Sequence, residues 1–166
     1  CGVEQVDYGA NMRMAVADDI TMINFGIGSP NAALIMDLLS AVQPSACLFL
    51  GKCGGISDKT HVGDYILPLA GIRGEGTSND YFPPEIPALP AFMLQRAVST
   101  SLRDARNDYW TGTVYTTNRR VWEHDEKFKD YLPGLWLWTW KRPRCFRAAF
   151  IIIYPLAHCC LCRTIL

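Results

Sequence analysis

Up to about residue 132 the apolar positions follow two alternating rhythms. Residues 20–25 form a short apolar run that stops at Gly26, the mark of a strand. Leu34, Ile35, Leu38, Leu39 and Val42 then recur at helical spacing, so residues 20–42 read as strand, glycine turn, helix, with Asn31 placed to cap the helix. Residues 46–51 are a second short strand running into "GKCGG", and residues 63–72 a third. Residues 73–90 follow as a long loop, with glycine at its start and four prolines toward its end. Loops of that length inside compact domains tend to carry function. The spacing predicts an amphipathic helix over 91–105, a strand over 109–117, and a short helix from Asp125 to Leu132. Strands alternating with helices predict an α/β fold, its sheet covered on both faces and its ligands at the C-terminal ends of the strands.

Composition narrows this only a little. With 166 residues, 49% hydrophobic and 19% charged, the chain is expected to form one globular domain with a real core. Net charge is zero, which leaves no basic excess to attract nucleic acid. No apolar run reaches the roughly 18 residues a membrane span needs. The chain opens on Cys1 with no leader pattern, and we read it as a fragment. Seven cysteines are present, and Cys47 and Cys53 lie in apolar strand-like runs, which favours free thiols in a reducing cytoplasm over disulfides.

Several motifs fall short of a named chemistry. Gly26, Gly28 and Asn31 nearly spell a dinucleotide fingerprint, but the third glycine is missing and no acidic residue ends a following strand. "GKCGG" lacks the upstream glycine of a P-loop and the Ser or Thr after Lys52. What survives is that two glycine turns follow two strands. Their exposed N–H groups suit an anion or polar ligand, or the glycines simply make tight turns. Arg73, Glu75, Thr77, Asn79 and Asp80 crowd one loop, and Asn118, Arg119 and Arg120 another. Two adjacent arginines after a strand can clamp a phosphate, although charge clusters are more often a solvated surface. His61 and His124 have no metal-ligand spacing, and no nucleophile elbow is visible. No cofactor or metal is implied.

Several of these stretches together resemble the bacterial AMP nucleosidase family of the nucleoside phosphorylase superfamily. They are "ITMINFGIGSPNAA", "ACLFLGKCGG", "GDYILP", "IRGEGTSNDYFPPEIPALPAF" and "DYWTGTVYTTNRRVWEHD", nearly continuous from residue 12 to residue 132. The resemblance implies a nucleoside phosphorylase-like single domain, a twisted mixed β-sheet flanked by helices, incomplete at the C-terminus. It implies hydrolysis of AMP to adenine and ribose 5-phosphate, in a homo-oligomer, a hexamer when intact. Phosphorylases of the superfamily hold attacking phosphate with an Arg two residues before the Gly of the second turn and a Ser just after it. Phe49 and Lys52 stand there in this chain, which fits water as the nucleophile. Gly28, Lys52, Cys53, Gly54, Arg73, Glu75, Thr77, Asn118, Arg119 and Arg120 are the expected substrate-binding residues. Cys53 and Gly54 match the family's base and ribose pocket, and Arg119 and Arg120 are assigned to the 5′-phosphate on charge.

The leaving adenine needs a proton, and a carboxylic acid held neutral near pH 7 can supply it. The family places that acid in a "Val-Ser-Asp" strand end and holds the ribose hydroxyls with the Glu of "Val-Asp-Met-Glu-Thr-Ala". Neither motif is present, and no acidic residue follows Asp130. No catalytic residue is therefore assigned. The tail explains the loss. Residues 134–146, "GLWLWTWKRPRCF", carry three of the five tryptophans. Read two bases out of register, Trp138-Thr139 forces Asp and Trp140-Lys141 forces Glu, because Trp has a single codon. The stretch can then read Ala-Met-Ala-Val-Asp-Met-Glu-Thr-Ala-Thr-Leu-Phe. Residues 155–164 can read Thr-Gly-Ala-Leu-Leu-Leu-Val-Ser-Asp, with the two Leu from His158-Cys159-Cys160 forced. We therefore expect a partial phosphorylase-like domain over residues 1–132 and an out-of-frame tail over 133–166. A zinc site built on Cys145, His158, Cys159, Cys160 and Cys162 lacks a clean Cys-x-x-Cys pair set. A tryptophan-faced strand is allowed by period alone but would leave an exposed apolar face.

Overall fold

The computed structural model describes residues 5–7, 12–54, 59–118 and 149–152, the first and last of these by backbone course alone. Residues 1–42 and 43–166 form two compact units. The first holds three strands, β1 (Gln5–Asp7), β2 (Arg13–Ala17) and β3 (Ile20–Asn24), and one helix, α1 (Ser29–Val42). The strands make an antiparallel sheet in that order, and β2 and β3 close on a two-residue turn at Asp18-Asp19 that pairs Ala17 with Ile20. Sequence periodicity identified β3 but not β1 or β2. The three residues of β1 are too few for a period to stand out, and the two alanines of β2 give it no strong apolar run of the kind that marks β3.

In α1 the buried residues are Ile35 and Met36, while Leu34, Leu38 and Val42 are exposed. The apolar face expected from the sequence is therefore only partly the buried one. Apolar side chains surround this helix almost completely, so spacing alone selects no single face. Asn31 does not take the capping position expected of it. The helix begins earlier, with Ala32 N–H donating to the Gly28 carbonyl at 3.1 Å and Pro30 in the first turn, where a missing N–H costs nothing. Asn31 Nδ2 instead reaches back to the Ile27 carbonyl at 3.2 Å.

The second unit is built on a four-stranded sheet. Its strands are β4 (Phe49–Lys52), β5 (Tyr65–Gly74), β6 (Tyr109–Thr117) and β7 (Ala149–Ile152), in the order β4-β7-β5-β6. β5 runs parallel to β6 and to β7, and β4 pairs antiparallel with β7, so the sheet is mixed, as expected. Between β5 and β6 the chain passes through a short 3₁₀ turn (Thr77–Asp80) and a helix, α2 (Phe92–Asp104), completing a β-α-β unit. Ala91, Leu94, Val98 and Leu102 recur at helical spacing and pack on Leu67 of β5 together with Tyr109 of β6. Ile66, Leu67 and Val114 are the buried core of this unit. α2 ends in a Schellman arrangement, with Asn107 N–H on the Leu102 carbonyl at 2.9 Å and Arg106 N–H on that of Arg103 at 2.8 Å. Arg106 occupies the left-handed position there, φ 56°, that glycine would hold without strain.

β5 carries a bulge. Pro68 pairs with Gly112 and Ala70 with Thr113, so Leu69 is the surplus residue. The Pro68 carbonyl is taken up by Gln95 Nε2 of α2 at 2.8 Å, which ties helix to strand at the irregularity. The short helix expected over 125–132 and all of the tail except the backbone of β7 lie outside the described residues.

Candidate active site

The first glycine turn follows β3. Gly26 and Gly28 have φ of 83° and 106°, conformations that a side chain would strain. Asn24 Oδ1 accepts from Gly26 N–H at 3.0 Å, so the turn is held by residues within it. Gly28 is exposed, at the entry to α1.

The second glycine turn follows β4. Lys52, the last residue of that strand, is exposed, and Cys53 and Gly54 are half-buried. Burial pushes the Cys53 thiol up from its ordinary value, so it stays protonated and has no thiolate character. Cys53 is a free cysteine.

The third strand end is the most elaborately built. β5 and β6 are in parallel register up to Gly74 opposite Thr117, so Glu75 and Asn118 leave adjacent strands at the same level, at their C-terminal ends. Asn118 Nδ2 donates to the Glu75 backbone carbonyl. Gly74 allows this closeness, because a Cβ there would overlap the Tyr115 phenol and come 2.7 Å from the Thr116 carbonyl oxygen. Glu75 is buried, with 6% exposure. Its carboxylate accepts from Ser78 N–H at 3.1 Å and from the Ser78 hydroxyl, covering the start of the 3₁₀ turn. Gly76 enters that turn at φ 86°.

Arg73, near the end of β5, organises the rest of the loop. Its Nε donates to Ser78 Oγ at 2.8 Å, Nη1 to the carbonyls of Pro83 at 2.9 Å and Ile86 at 2.8 Å, and Nη2 to Asn79 Oδ1 at 2.8 Å and the Phe82 carbonyl at 2.7 Å. These are the five N–H groups a guanidinium has. Hydrogen bonds to a charged group contribute about 1.5–3 kcal/mol each, so together they dominate this loop. Past Pro87, Ala88 and Gly71 exchange backbone hydrogen bonds at 2.7 and 3.2 Å, returning the loop to the edge of β5.

Ten residues were expected at a substrate site. Glu75 and Asn118 meet directly, while Arg73 and Glu75 share Ser78. Thr77 is half-buried in the 3₁₀ turn. Arg73 and Glu75 are engaged inside the protein rather than open to a ligand. Arg119 and Arg120 lie outside the described residues, as does His124. Sequence reasoning missed Ser78, although the Glu75-x-x-Ser78 spacing across Gly76 was legible. At the other end of β5, His61 is exposed and its backbone N–H donates to Asp64 Oδ2 at 2.8 Å. Among the described residues no group of three His, Cys, Asp or Glu could hold a metal, and no helix is long and apolar enough to cross a membrane.

The sequence profile described as the phosphorylase superfamily matches residues 10–136. The AMP nucleosidase of Escherichia coli K12 is 34% identical over 112 residues, which are 63% of this chain and 23% of that protein. A guanosine phosphorylase of Halorubrum lacusprofundi is 29% identical over 113 residues, 68% of this chain and 47% of that protein. The chain thus spans about a quarter to a half of the length of these relatives. Among solved structures, the AMP nucleosidase of Bacteroides thetaiotaomicron is 48% identical with a TM-score of 0.78, over 92% of this chain and 73% of that one. A uridine phosphorylase of Vibrio fischeri shares the fold at 20% identity, with a TM-score of 0.72 over 92% of this chain and 72% of that one.

Proposed function

The chain belongs to the phosphorylase superfamily, and we propose that its intact gene product is an AMP nucleosidase. It would hydrolyse the bond between C1′ of the ribose and N9 of adenine. The observation that carries this reading is the 48% identity to an AMP nucleosidase across a superposition that takes in 92% of the chain. Water attacks C1′, the glycosidic electrons leave with adenine, and an acid returns a proton to the base. Phe49 and Lys52 stand where phosphorylases would hold the attacking phosphate, which supports hydrolysis over phosphorolysis.

On this reading Lys52, Cys53, Gly54, Thr77 and Asn118 contribute to the substrate site, and Arg119 and Arg120 neutralise the 5′-phosphate. Cys53, kept as a neutral thiol by burial, suits a wall against base and ribose rather than a nucleophile. Arg73 and Glu75 move from ligand contacts to scaffold. The assembly is a homohexamer and its location the cytoplasm, a compartment in which the free thiol of Cys53 persists.

The proton donor and the ribose-holding Glu belong to the tail read in its other frame. The 166-residue chain is therefore inactive, and the frame-restored chain active. The test is adenine release from AMP by both, with and without phosphate, alongside sequencing of the DNA across codons 125–166. Adenine and ribose 5-phosphate from the restored chain alone, independent of phosphate, is the expected result. Release by the 166-residue chain sinks the frame reading, and a requirement for phosphate with ribose 1,5-bisphosphate as product makes the enzyme a phosphorylase.

A further inference from the structure

The loop between β5 and α2 is gripped by a guanidinium with no donor left over. An arginine that binds a phosphate presents two free N–H groups along one edge. Arg73 presents none, because Ser78, Asn79, Phe82, Pro83 and Ile86 take all five. The carbonyl acceptors bracket Pro84-Glu85, with Phe82 and Pro83 before it and Ile86 after it, so one side chain fixes both limbs of the loop. The Phe82 ring lies 6.0 Å below the guanidinium carbon. Ser78 extends the grip: its hydroxyl accepts from Arg73 and donates to the buried Glu75, whose carbonyl receives Asn118 from the neighbouring parallel strand. A continuous line of hydrogen bonds thus runs from Arg73 to the C-terminal ends of β5 and β6.

We propose that Arg73 is a positioning residue that keeps residues 75–88 folded before any ligand arrives. The strand-end wall of the candidate site is then preformed, and this segment is not a lid that closes on substrate. The geometry demands the planar fork and not the charge alone. A lysine has its three donors on one nitrogen and cannot reach acceptors spread around a guanidinium. Only the link to AMP rests on the function proposed above.

The test is amide hydrogen exchange on the full 166-residue chain, for the wild type, R73K, R73A and S78A. In the wild type, the amides of Ser78, Asn79, Tyr81, Phe82, Ile86 and Ala88 are expected to be protected without ligand, because each donates to a named acceptor. In R73K and R73A they exchange about tenfold faster or more, while α2 and β6 keep their rates. Guanidinium ion at about 50 mM, far below denaturing levels, restores protection in R73A but not in R73K. If R73K loosens α2 and β6 as well, S78A carries the test, since it removes one acceptor and should expose residues 78–82 alone. Loop amides that exchange freely in the wild type and slow only with AMP make the segment a lid and overturn the proposal. Wild-type protection in R73K, or no rescue of R73A, overturns it equally. Calorimetry with AMP reads the link to the site: about tenfold weaker binding by R73K supports it, and unchanged affinity removes the loop from the site. Failure of the 166-residue wild type to bind AMP, with binding by the frame-restored chain, leaves the exchange result to decide the role of Arg73, and failure of both to bind AMP sinks the substrate reading.

Discussion

The chain twice runs from a strand through glycines into a helix, and the two passages are built differently. Between β3 and α1 the turn is short. Gly26 and Gly28 supply the left-handed backbone, and Asn24 and Asn31 bond to groups two and four residues away. Between β5 and α2 the glycines do only part of the work. Gly74 permits a close approach and Gly76 a left-handed step, but the loop is held by Arg73 reaching as far as 13 residues along the chain. A short turn can be specified by its own residues. A long loop needs a tether from outside it, and when that tether is one side chain the loop stands or falls with it.

Substitutions can break this contrast. Arg73→Ala should have the largest effect, lowering stability by about 3 kcal/mol or more in urea unfolding, since several charge-assisted hydrogen bonds go and backbone carbonyls lose their partner. If the loss is no larger than that of a turn residue, the tether is not what holds the loop. Gly74→Ala should cost about 1–3 kcal/mol by overpacking against Tyr115 and Thr116. Gly76→Ala and Gly28→Ala meet open space or ordinary contact, so each should cost only the left-handed backbone strain, about 1–2 kcal/mol. Equal costs at Gly74 and Gly76 would erase the distinction between crowding and conformation. Asn24→Ala should be milder, about 0.5–1.5 kcal/mol, because one exposed hydrogen bond is lost.

The smallest expected effect is one of pH. At the far end of β5, the His61 backbone N–H, and after it the Trp110 indole N–H, hold the Asp64 carboxyl below its usual range. A lowered carboxyl stabilises the fold above its ordinary value, and that contribution fades as pH falls through the lowered one. Trp110 emission should therefore change on acidification below about pH 4 in the wild type, and Asp64→Asn should flatten that limb. An unchanged profile in Asp64→Asn would show that the acid response has another source.

Particular residues show what the sequence could and could not give away. The strand over 109–117 coincides with β6, and α2 differs from its expected span by one residue at each end. Both carry strong periods and clear stops. The sequence does not resolve the face of α1, because from Ala32 to Val42 only Asp37 and Ser40 break the apolar run. Glu75 and Asn118 stand in separate clusters of the sequence, since their meeting depends on strand register, which no local pattern encodes. Arg73 reads in the sequence as a ligand contact for a sharper reason. Three of its five acceptors are backbone carbonyls, which every residue possesses, so no choice of amino acid announces them.

The surplus residue in β5 has a consequence for how this segment can evolve. Side chains alternate across a strand, and Leu69 shifts that alternation by one for everything after it. A clean three-base deletion of its codon would keep the reading frame and remove only an exposed leucine. Pro68 would still pair with Gly112 and Ala70 with Thr113, so Arg73 would stay opposite Thr116 on its own side of the sheet. Leu69 is thus a residue that the register can lose as well as vary. Among descendants of this gene, its position should tolerate substitution and loss alike, while a deletion at any of residues 70–72 would be felt at Arg73.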